Sequence, residues 1–337
     1  MLQLTAKQAT RGVLGVRWRL LDSGPGGAAL NMATDEALML SHGRGEALPT
    51  LRFYAWRPAA VSTGRSQYLD REVDIDACRR LGIEWVRRPT GGRAVLHDKE
   101  VTYSIVISQA LVPGSVIETY RHLSRGLLEG LKRLGVDAAV YEPPGRGGPL
   151  PASPAAALAM RGAAAGCADV PSDDDADDEG EAAADGGANE GGAAGAALSG
   201  ACFDAPSWYE LLAGGRKVVG SAQMRAGGVI LQHGSILLRF DADRLLSVLA
   251  TTPRDPAARQ ELRSHLERRA AGLSGLTGRT LTYDEVVAAM TWGFKRALGV
   301  DLDPQELTLR EAGEAARLLA KYTSGDWNSG PTRRREP

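Results

Sequence analysis

Cysteines and long apolar runs are scarce in this sequence, and each scarcity excludes a class of protein. Only three of the 337 residues are cysteines. An odd count without an export signal argues against a disulfide framework and indicates a reducing compartment. No run of about 18 apolar residues occurs, so we expect no transmembrane helix and no membrane partner. The first residues lack a continuous apolar segment with a small-residue cleavage site, so we expect no signal peptide and a cytoplasmic protein.

Several cofactor motifs are also missing. The sequence has no GxxxxGK[ST] and no GxGxxG after a predicted strand, which excludes the standard phosphate-binding loops. It has five histidines but no HExxH and no CxxC, so we expect no metal site. Lysine is rare, with 6 lysines against 34 arginines, a bias typical of a GC-rich genome. Each retained lysine is therefore more informative, because a plain surface cation here would usually be an arginine.

Charge is nearly balanced, with a formal net charge of -1, but it is unevenly distributed. Residues 169–200 carry ten acidic and no basic side chains, which leaves an excess of nine basic residues in the rest of the chain. Such an excess favours an acidic protein partner. Because the sequence has no basic block and no alternation of aromatic and basic residues, we expect no nucleic acid partner.

The composition divides the chain into three parts. Over residues 1–141 and 201–245, strand-like and helix-like segments follow one another without regular βαβ alternation, which predicts an α+β domain. Residues 142–200 are rich in Pro, Gly, Ala and Asp. They cannot bury enough apolar surface to offset their ordering entropy, so we expect a disordered acidic insertion. The C-terminal region, residues 246–337, is predicted to be helical.

Two helices of the C-terminal region have candidate N-caps. Thr282 is followed three residues later by Glu285, the pattern of a capping box at the start of a helix over residues 283–298. Asp303 is the predicted cap of a further helix over residues 304–322.

Cys202 is the candidate nucleophile. It stands in ACFDAPSWYE, where the composition returns to that of a folded chain. A thiol can attack a carbonyl group and form a thioester, which a second nucleophile later opens. The alternative is a small buried hydrophobic residue, the usual state of a free cysteine. Cys78 lies on an amphipathic helix and is predicted to be a core residue, whereas Cys167 lies in the insertion and is predicted to be inert.

Lys217 and a glycine-rich loop are the other candidates. Lys217 in GGRKVVGSAQ opens a strand of apolar and small residues, where an ammonium group could stand beside a substrate carbonyl. The alternative is a strand-edge lysine that discourages aggregation. Residues 88–93, RPTGGR, resemble a backbone nest whose N–H groups face an anion, although Gly-Gly is also common in hairpin turns. His97 and His233 are candidate bases, each with a structural role as the alternative.

Two long segments carry a more specific resemblance. RRPTGGRAVLHDKEVTYSIVI, residues 87–107, and GGRKVVGSAQMRAGGVILQHGSILL, residues 214–238, resemble the two signature segments of the biotin/lipoate A/B protein ligase family. NMATDEALM at residues 31–39 and LRFYAWRPAAVSTGRSQ at residues 51–67 are similar to that family as well. The segments are long and occur in the family's order.

The resemblance covers roughly residues 16–141 and 201–240 and, more loosely, the helical tail. It implies a class II biotin/lipoate ligase-like catalytic domain. In that fold a mixed β-sheet core is packed by helices, a helical C-terminal tail follows, and the acyl chain occupies an apolar tunnel.

The segment before Lys217 distinguishes the branches of this family. Cys202 followed by FDAPSWYEL resembles the cysteine-dependent octanoyltransferases, whereas ATP-dependent lipoate-protein ligases carry an Asn-Asp type segment there. The CPG-type motif of the related amidotransferases and the GRGR-type loop of biotin ligases are both missing. The 142–200 insertion departs from the family pattern.

The octanoyltransferase branch implies a two-step acyl transfer that needs no cofactor. Octanoyl-acyl carrier protein would be the donor, and a lysine of a lipoyl-accepting protein, such as a lipoyl domain or the glycine cleavage H protein, would be the acceptor. The resemblance implies Cys202 and Lys217 as catalytic residues. Further substrate-binding residues would be Arg88, Gly91, Gly92, Arg93 and His97. Two other functions stay open: an ATP-dependent lipoate-protein ligase, and a non-catalytic protein that holds acyl or lipoyl groups.

Overall fold

The computed structural model describes residues 17–141 and 210–331, which form strands and helices in irregular order. The strands are β1 (Arg17–Gly26), β2 (Thr50–Trp56), β3 (Ala60–Thr63), β4 (Glu84–Arg87), β5 (Val95–His97), β6 (Glu100–Ser108), β7 (Ala139–Val140), β8 (Leu211–Ala213), β9 (Arg216–Ala226), β10 (Val229–Leu237) and β11 (Asp301–Pro304). The helices are α1 (Ala28–Gly43), α2 (Leu69–Glu72), α3 (Ile75–Leu81), α4 (Val116–Arg133), α5 (Ala242–Leu246), α6 (Pro256–Arg269), α7 (Leu273–Thr277), α8 (Tyr283–Leu298), α9 (Leu309–Thr323) and α10 (Gly325–Ser329).

Some predictions fall on other parts of the chain. The expected insertion over residues 142–200 lies outside the described residues, as do Cys167 and Cys202. In the two described ranges, no helix combines the length and the apolar character that a membrane span requires.

The strands form two sheets. The large sheet has eight strands in the order β11-β1-β2-β6-β10-β9-β8-β7, and the small sheet has the order β4-β3-β5. Strand β1 is parallel to both of its neighbours, whereas β2, β6, β10 and β9 pair antiparallel in succession. The sheet is therefore mixed and packed by helices, as predicted.

Alternate side chains of the central strand β6 face opposite sides of the large sheet, because the side-chain period of a strand is two. One set belongs to the main hydrophobic core with α4 and α8: Val101, Tyr103, Ile105 and Ile107. The intervening Glu100, Thr102 and Ser104 are buried as well, but their polar atoms bond to residues of α1, β2, β5 and β10. The strand thus separates an apolar core from a polar interior face.

A second hydrophobic cluster joins the small sheet to α3, α5 and α6. Cys78 is fully buried in this cluster, in agreement with its predicted place in the core. Burial raises the pKa of its thiol to about 11, so Cys78 is protonated at neutral pH and a poor nucleophile.

Helices α4 and α8 cross at glycines. Both helices begin with a complete capping box, at Ser115 and at the predicted Thr282. At the crossing, a Cβ added to Gly293 of α8 would lie 2.3 Å from the carbonyl oxygen of Gly126 and 2.4 Å from the backbone nitrogen of Gly130, both on α4. The two backbones therefore approach as closely as glycine allows.

The helix predicted from residue 304 begins at Leu309, and its cap is Thr308 rather than Asp303. Residues Asp301–Pro304 instead form β11, which pairs in parallel with β1. The Asp303 carboxylate accepts a hydrogen bond from the Arg17 guanidinium at 2.7 Å, so it caps no helix. The prediction was wrong because a four-residue edge strand has no periodic signal and its partner lies at the other end of the described chain.

The true start of α9 is fixed by a buried ion pair. Thr308 and Glu311 form a capping box, and the Glu311 carboxylate also accepts a 2.6 Å hydrogen bond from Arg19 of β1. Burial alone would raise the pKa of Glu311, but the hydrogen bonds from Arg19 and Thr308 hold it below the ordinary value of 4.5. This pair anchors the start of α9 to β1, the strand next to the edge of the large sheet.

Replacing Gly293 by alanine is expected to destabilise the protein, because the new Cβ would overlap the backbone of α4. Overpacking of this kind costs about 1–3 kcal/mol. Gly313→Ala on α9 is the matched control, since no atom of the described residues outside its own helix backbone lies within 4 Å of the added Cβ. Alanine there should stabilise by up to about 1 kcal/mol. Urea unfolding measures both variants, and equal free energies of unfolding would contradict the close crossing.

Candidate active site

A cavity of about 290 Å³ brings together most of the residues that the sequence analysis selected. It lies on the polar side of β6 and β10, between the large and small sheets. The predicted site residues that line it are Arg88, Gly91, Gly92, Arg93, His97 and Lys217. His233 lines it too, whereas Cys202 lies outside the described residues.

Arg88 holds the glycine-rich loop through the carbonyl groups of that loop. Its Nη2 donates hydrogen bonds to the carbonyl oxygens of Gly91, at 2.7 Å, and Arg93, at 2.8 Å. Its Nη1 donates to the backbone oxygen and the hydroxyl group of Ser62, at 3.0 and 3.1 Å. The guanidinium therefore ties the loop to β3, a role that the predicted substrate-binding function of Arg88 did not include.

Only one glycine of the loop pair needs to be glycine for its conformation. Gly92 has a φ of +95°, and a Cβ there would lie 2.7 Å from Nη2 of Arg88. Gly91 has no left-handed φ, and within the described residues nothing lies within 4 Å of an added Cβ. Gly64, just after β3, is a further close approach, since its Cβ would lie 1.9 Å from the Gly92 carbonyl oxygen. The turn is thus packed directly on the backbone at Gly64.

Lys217 is buried beside a carboxylate that the sequence analysis did not select. Its Nζ donates a 2.5 Å hydrogen bond to Oε1 of Glu210, and both side chains are less than 5% exposed. A close pair of opposite charges away from water fixes the position of the ammonium group. Gly220 leaves room for this side chain, since a Cβ there would lie 2.6 Å from Cε of Lys217. The available sequence signal was a glutamate shortly before the lysine, across the Gly-Gly turn between β8 and β9.

His97 is hydrogen-bonded at both ring nitrogens. Its Nδ1 lies 2.7 Å from Oε1 of Glu100, and its Nε2 lies 2.7 Å from Oγ of Ser62. Since a carboxylate only accepts, Nδ1 carries the hydrogen and Nε2 accepts the Ser62 hydroxyl. The ring also stacks on Trp56, with 4.0 Å between the centroids. Proton transfer by His97 would have to pass through Ser62, so this arrangement favours a role in shaping the cavity wall.

Asp35 of α1 lies at the centre of a second buried network. Its carboxylate accepts hydrogen bonds from four side chains: Arg52 at 2.7 Å, Ser104 at 2.8 Å, Tyr54 at 2.9 Å and His233 at 3.2 Å. Asp35 and Ser104 are fully buried. The sequence signal for this network was the alternation of polar residues, Glu100, Thr102 and Ser104, with apolar ones in the first half of β6.

The charges of this network follow from competing effects on the pKa values. Burial alone would raise the pKa of Asp35, but the Arg52 guanidinium and the hydrogen bond from His233 hold it below its usual value of 3.8. Burial lowers the pKa of His233 below 6.5, although the Asp35 carboxylate opposes this effect. At neutral pH the pair is therefore a carboxylate and a neutral imidazole.

The described ranges contain no group of three or more His, Cys, Asp and Glu side chains that could hold a metal ion. The groups that line the cavity include a buried ammonium group, a glycine-rich turn and two histidines with fixed hydrogen bonds.

The chain belongs to the lipoyl protein ligase A/B catalytic domain family, whose model matches residues 27–295. An octanoyltransferase LipM from Kyrpidia tusciae is 44% identical over 313 residues, which cover 92% of this chain and 98% of that protein. An octanoyltransferase LipM from Symbiobacterium thermophilum is 44% identical over 312 residues, or 92% and 97% of the two chains. These relatives confirm the predicted octanoyltransferase branch.

A solved structure supports the fold assignment. The crystal structure of lipoate-protein ligase A bound with ATP superposes with a TM-score of 0.64 at 25% identity, and the match covers 94% of this chain and 99% of that one. The predicted fold class is confirmed.

Gly64→Ala is expected to displace the glycine-rich loop, because its Cβ and the Gly92 carbonyl oxygen cannot both stay in place. We expect a loss of stability of about 1–3 kcal/mol. Gly91→Ala is the matched control in the loop itself, where space is open and the change should stay within about 0.5 kcal/mol. Thermal unfolding compares the two, and a Gly91→Ala variant as unstable as Gly64→Ala would show that the loop is packed differently.

Proposed function

We propose that this protein transfers an octanoyl group from octanoyl-acyl carrier protein to a lysine of a lipoyl-accepting protein, through a thioester on Cys202. A lipoyl domain and the glycine cleavage H protein are the acceptors of this class. The observation that carries the proposal is the gathering of six predicted site residues around one cavity in a chain whose relatives are octanoyltransferases.

In the first step, the Cys202 thiolate attacks the carbonyl carbon of the octanoyl thioester on the phosphopantetheine arm. A carbon–sulfur bond to Cys202 forms, the bond to the arm breaks, and the released thiolate takes up the proton that Cys202 gave up. Exchange of one thioester for another is nearly isoenergetic, so this step needs no ATP.

In the second step, the lysine amine of the acceptor attacks the carbonyl carbon of the Cys202 thioester. A carbon–nitrogen bond forms, the carbon–sulfur bond breaks, and the proton lost by the nitrogen is balanced by protonation of the Cys202 sulfur. An amide is more stable than a thioester, which draws the sequence forward.

Lys217 is the proposed source of positive charge for both steps. A buried ammonium group stabilises a thiolate and the oxyanion that develops on the acyl carbonyl. The ion pair with Glu210 supports this role because it holds Nζ at one place in the cavity wall. The backbone at Gly91 and Gly92 is the proposed second donor set, on a loop that Arg88 holds by its carbonyl groups.

The charge of the chain suits protein substrates of this kind. Acyl carrier proteins and lipoyl domains are typically acidic, and outside residues 169–200 this chain has nine more basic than acidic residues. Complementary charge raises the rate of encounter and makes that rate sensitive to salt.

The test is the intact mass of the full chain after mixing with octanoyl-acyl carrier protein in the absence of ATP. We expect a gain of about 126 Da, one octanoyl group, which an added lipoyl domain removes. Cys202→Ala should abolish the adduct. Cys78→Ala is the matched control, because this thiol is buried in the core and its substitution should leave the adduct intact.

Other outcomes identify other functions. Acylation of the acceptor only with ATP and free octanoic or lipoic acid, without an adduct on Cys202, would establish a ligase. Binding of the acylated donor without any transfer would establish a carrier of acyl groups.

Met32→Ala is expected to shift the chain-length preference towards longer acyl groups. Met32 of α1 lines the cavity at its buried side, next to Tyr54, and is 1% exposed. Each methylene that gains apolar contact stabilises the bound acyl chain by about 0.8 kcal/mol. A decanoyl group has two methylenes more than an octanoyl group, so the ratio of kcat/KM for decanoyl over octanoyl donors should rise roughly tenfold. A ratio unchanged from that of the wild type would show that Met32 does not limit the chain.

Met39→Ala is the control for that substitution. Met39 lies on the same helix and is also buried, but it packs in a different cluster, with Leu38 and Val106, away from the cavity. Both variants should lose stability by about 2–5 kcal/mol, whereas only Met32→Ala should change the chain-length ratio.

A further inference from the structure

Three buried residues from three different elements form a continuous hydrogen-bonded chain that ends in the glycine-rich loop. Oδ2 of Asp35 on α1 lies 3.2 Å from Nδ1 of His233 on β10. Nε2 of the same imidazole lies 2.7 Å from Oγ1 of Thr90 in the loop. All three residues are at least 95% buried.

The direction of each hydrogen bond in this chain is fixed by the other partners of Asp35. Arg52 and Ser104 donate to its Oδ1, and Tyr54 donates to its Oδ2, so the carboxylate is ionised and acts only as an acceptor. His233 therefore carries its hydrogen on Nδ1. Its Nε2 is left as an acceptor, and the Thr90 hydroxyl donates to it.

The charged and titratable groups around His233 agree with a neutral ring. It faces Asp35 of α1, the Arg88 guanidinium of the loop, and His97 of β5. Burial and the two basic neighbours outweigh the carboxylate, so the pKa of His233 is below 6.5. Because Nε2 is bonded to the Thr90 hydroxyl and Nδ1 to Asp35, the ring has no free lone pair for a substrate proton and could take one only through Thr90.

Thr90 is held on two sides. Its carbonyl oxygen accepts a 2.9 Å hydrogen bond from the backbone nitrogen of Arg65, and its hydroxyl is bonded to His233. The next residues of the loop, Gly91 and Gly92, line the cavity. The bond to His233 thus fixes the residue directly before the cavity-lining turn.

The two cavity histidines have similar hydrogen-bond partners, but the residues that provide the hydroxyl groups lie in different kinds of structure. His97 has the same kind of partners, Glu100 at Nδ1 and the Ser62 hydroxyl at Nε2. Ser62, however, lies in the regular strand β3, whose position the sheet already fixes. Thr90 lies in the loop, outside the regular strands, where the bond to His233 adds a side-chain anchor to the backbone bond from Arg65.

We propose that Asp35, His233 and Thr90 form a positioning relay that holds the Gly91–Gly92 turn in place for acyl transfer. His233 is then a positioning residue and not the base of the reaction. The expected effect on catalysis rests on the proposed function. The hydrogen bonds of the relay, however, can be measured by methods that do not depend on activity.

The decisive variants are Thr90→Val and Thr90→Ser, with Thr63→Val as the control. Valine keeps the shape of threonine and removes only the hydroxyl, whereas serine keeps the hydroxyl. Thr63 is a fully buried threonine of β3 whose hydroxyl has no partner among the described residues, so its loss should be neutral. We expect Thr90→Val to lower kcat/KM for octanoyl transfer at least tenfold, and the other two variants to stay within about twofold of the wild type.

Two further measurements test the relay independently of turnover. In ¹⁵N spectra of histidine-labelled protein, His233 should be the tautomer protonated at Nδ1, and Thr90→Val should shift its Nε2 resonance towards that of a free acceptor. Hydrogen exchange of the peptide covering residues 88–93 should accelerate in Thr90→Val and not in Thr63→Val. The His233→Asn variant assigns the resonance.

The outcomes separate this inference from the proposed function. An active wild type with equally active Thr90→Val would overturn the positioning role, as would a His233 ring protonated at Nε2. A wild type that transfers no octanoyl group would refute the proposed function, and the exchange rates of residues 88–93 would then decide alone whether the relay holds the loop. Unchanged exchange in Thr90→Val would refute the relay in either case.

Discussion

The buried carboxylate of Asp35 is the constraint on which the interior of this protein depends. A charge without water must be matched by hydrogen bonds and by opposite charge, because an unpaired buried ion is very costly. Asp35 receives these from Arg52 on β2, Ser104 on β6 and His233 on β10, three neighbouring strands of the large sheet. One residue on α1 therefore fixes the helix across the sheet and keeps a polar interior where an apolar core would otherwise form.

The cavity follows from this division of the sheet into two faces. One face of β6 packs on α4 and α8 and provides the apolar core. The other face carries hydroxyl and carboxyl groups, which form hydrogen bonds with one another and with the imidazole groups of His97 on β5 and His233 on β10, so that the polar groups in the wall of the cavity between the two sheets have fixed positions. The buried ammonium group of Lys217 enters this space from β9, held by Glu210. A transferase gains from such a site, because fixed donors need no rearrangement when charge develops.

Sequence reasoning succeeded where the information is local. The helix over residues 283–298 and its capping box at Thr282 were predicted from a short pattern of neighbouring residues, and both are present. The glycine-rich loop and Lys217 were selected from motifs of a few residues, and both line the cavity. The prediction failed at β11 and Asp303, since a short edge strand is stabilised by a partner that is remote in sequence.

What the sequence by itself determined is the family, its octanoyltransferase branch, the fold class and the glycine-rich loop. All of these are encoded in contiguous residues. Only the tertiary structure decided that Glu210 pairs with Lys217, that Arg88 holds the loop from within, and that Asp35 and Thr90 are the two partners of His233. These pairings are made by burial and strand register. Both depend on how separate elements pack. No local segment of sequence specifies which distant side chains will be in contact in the folded interior.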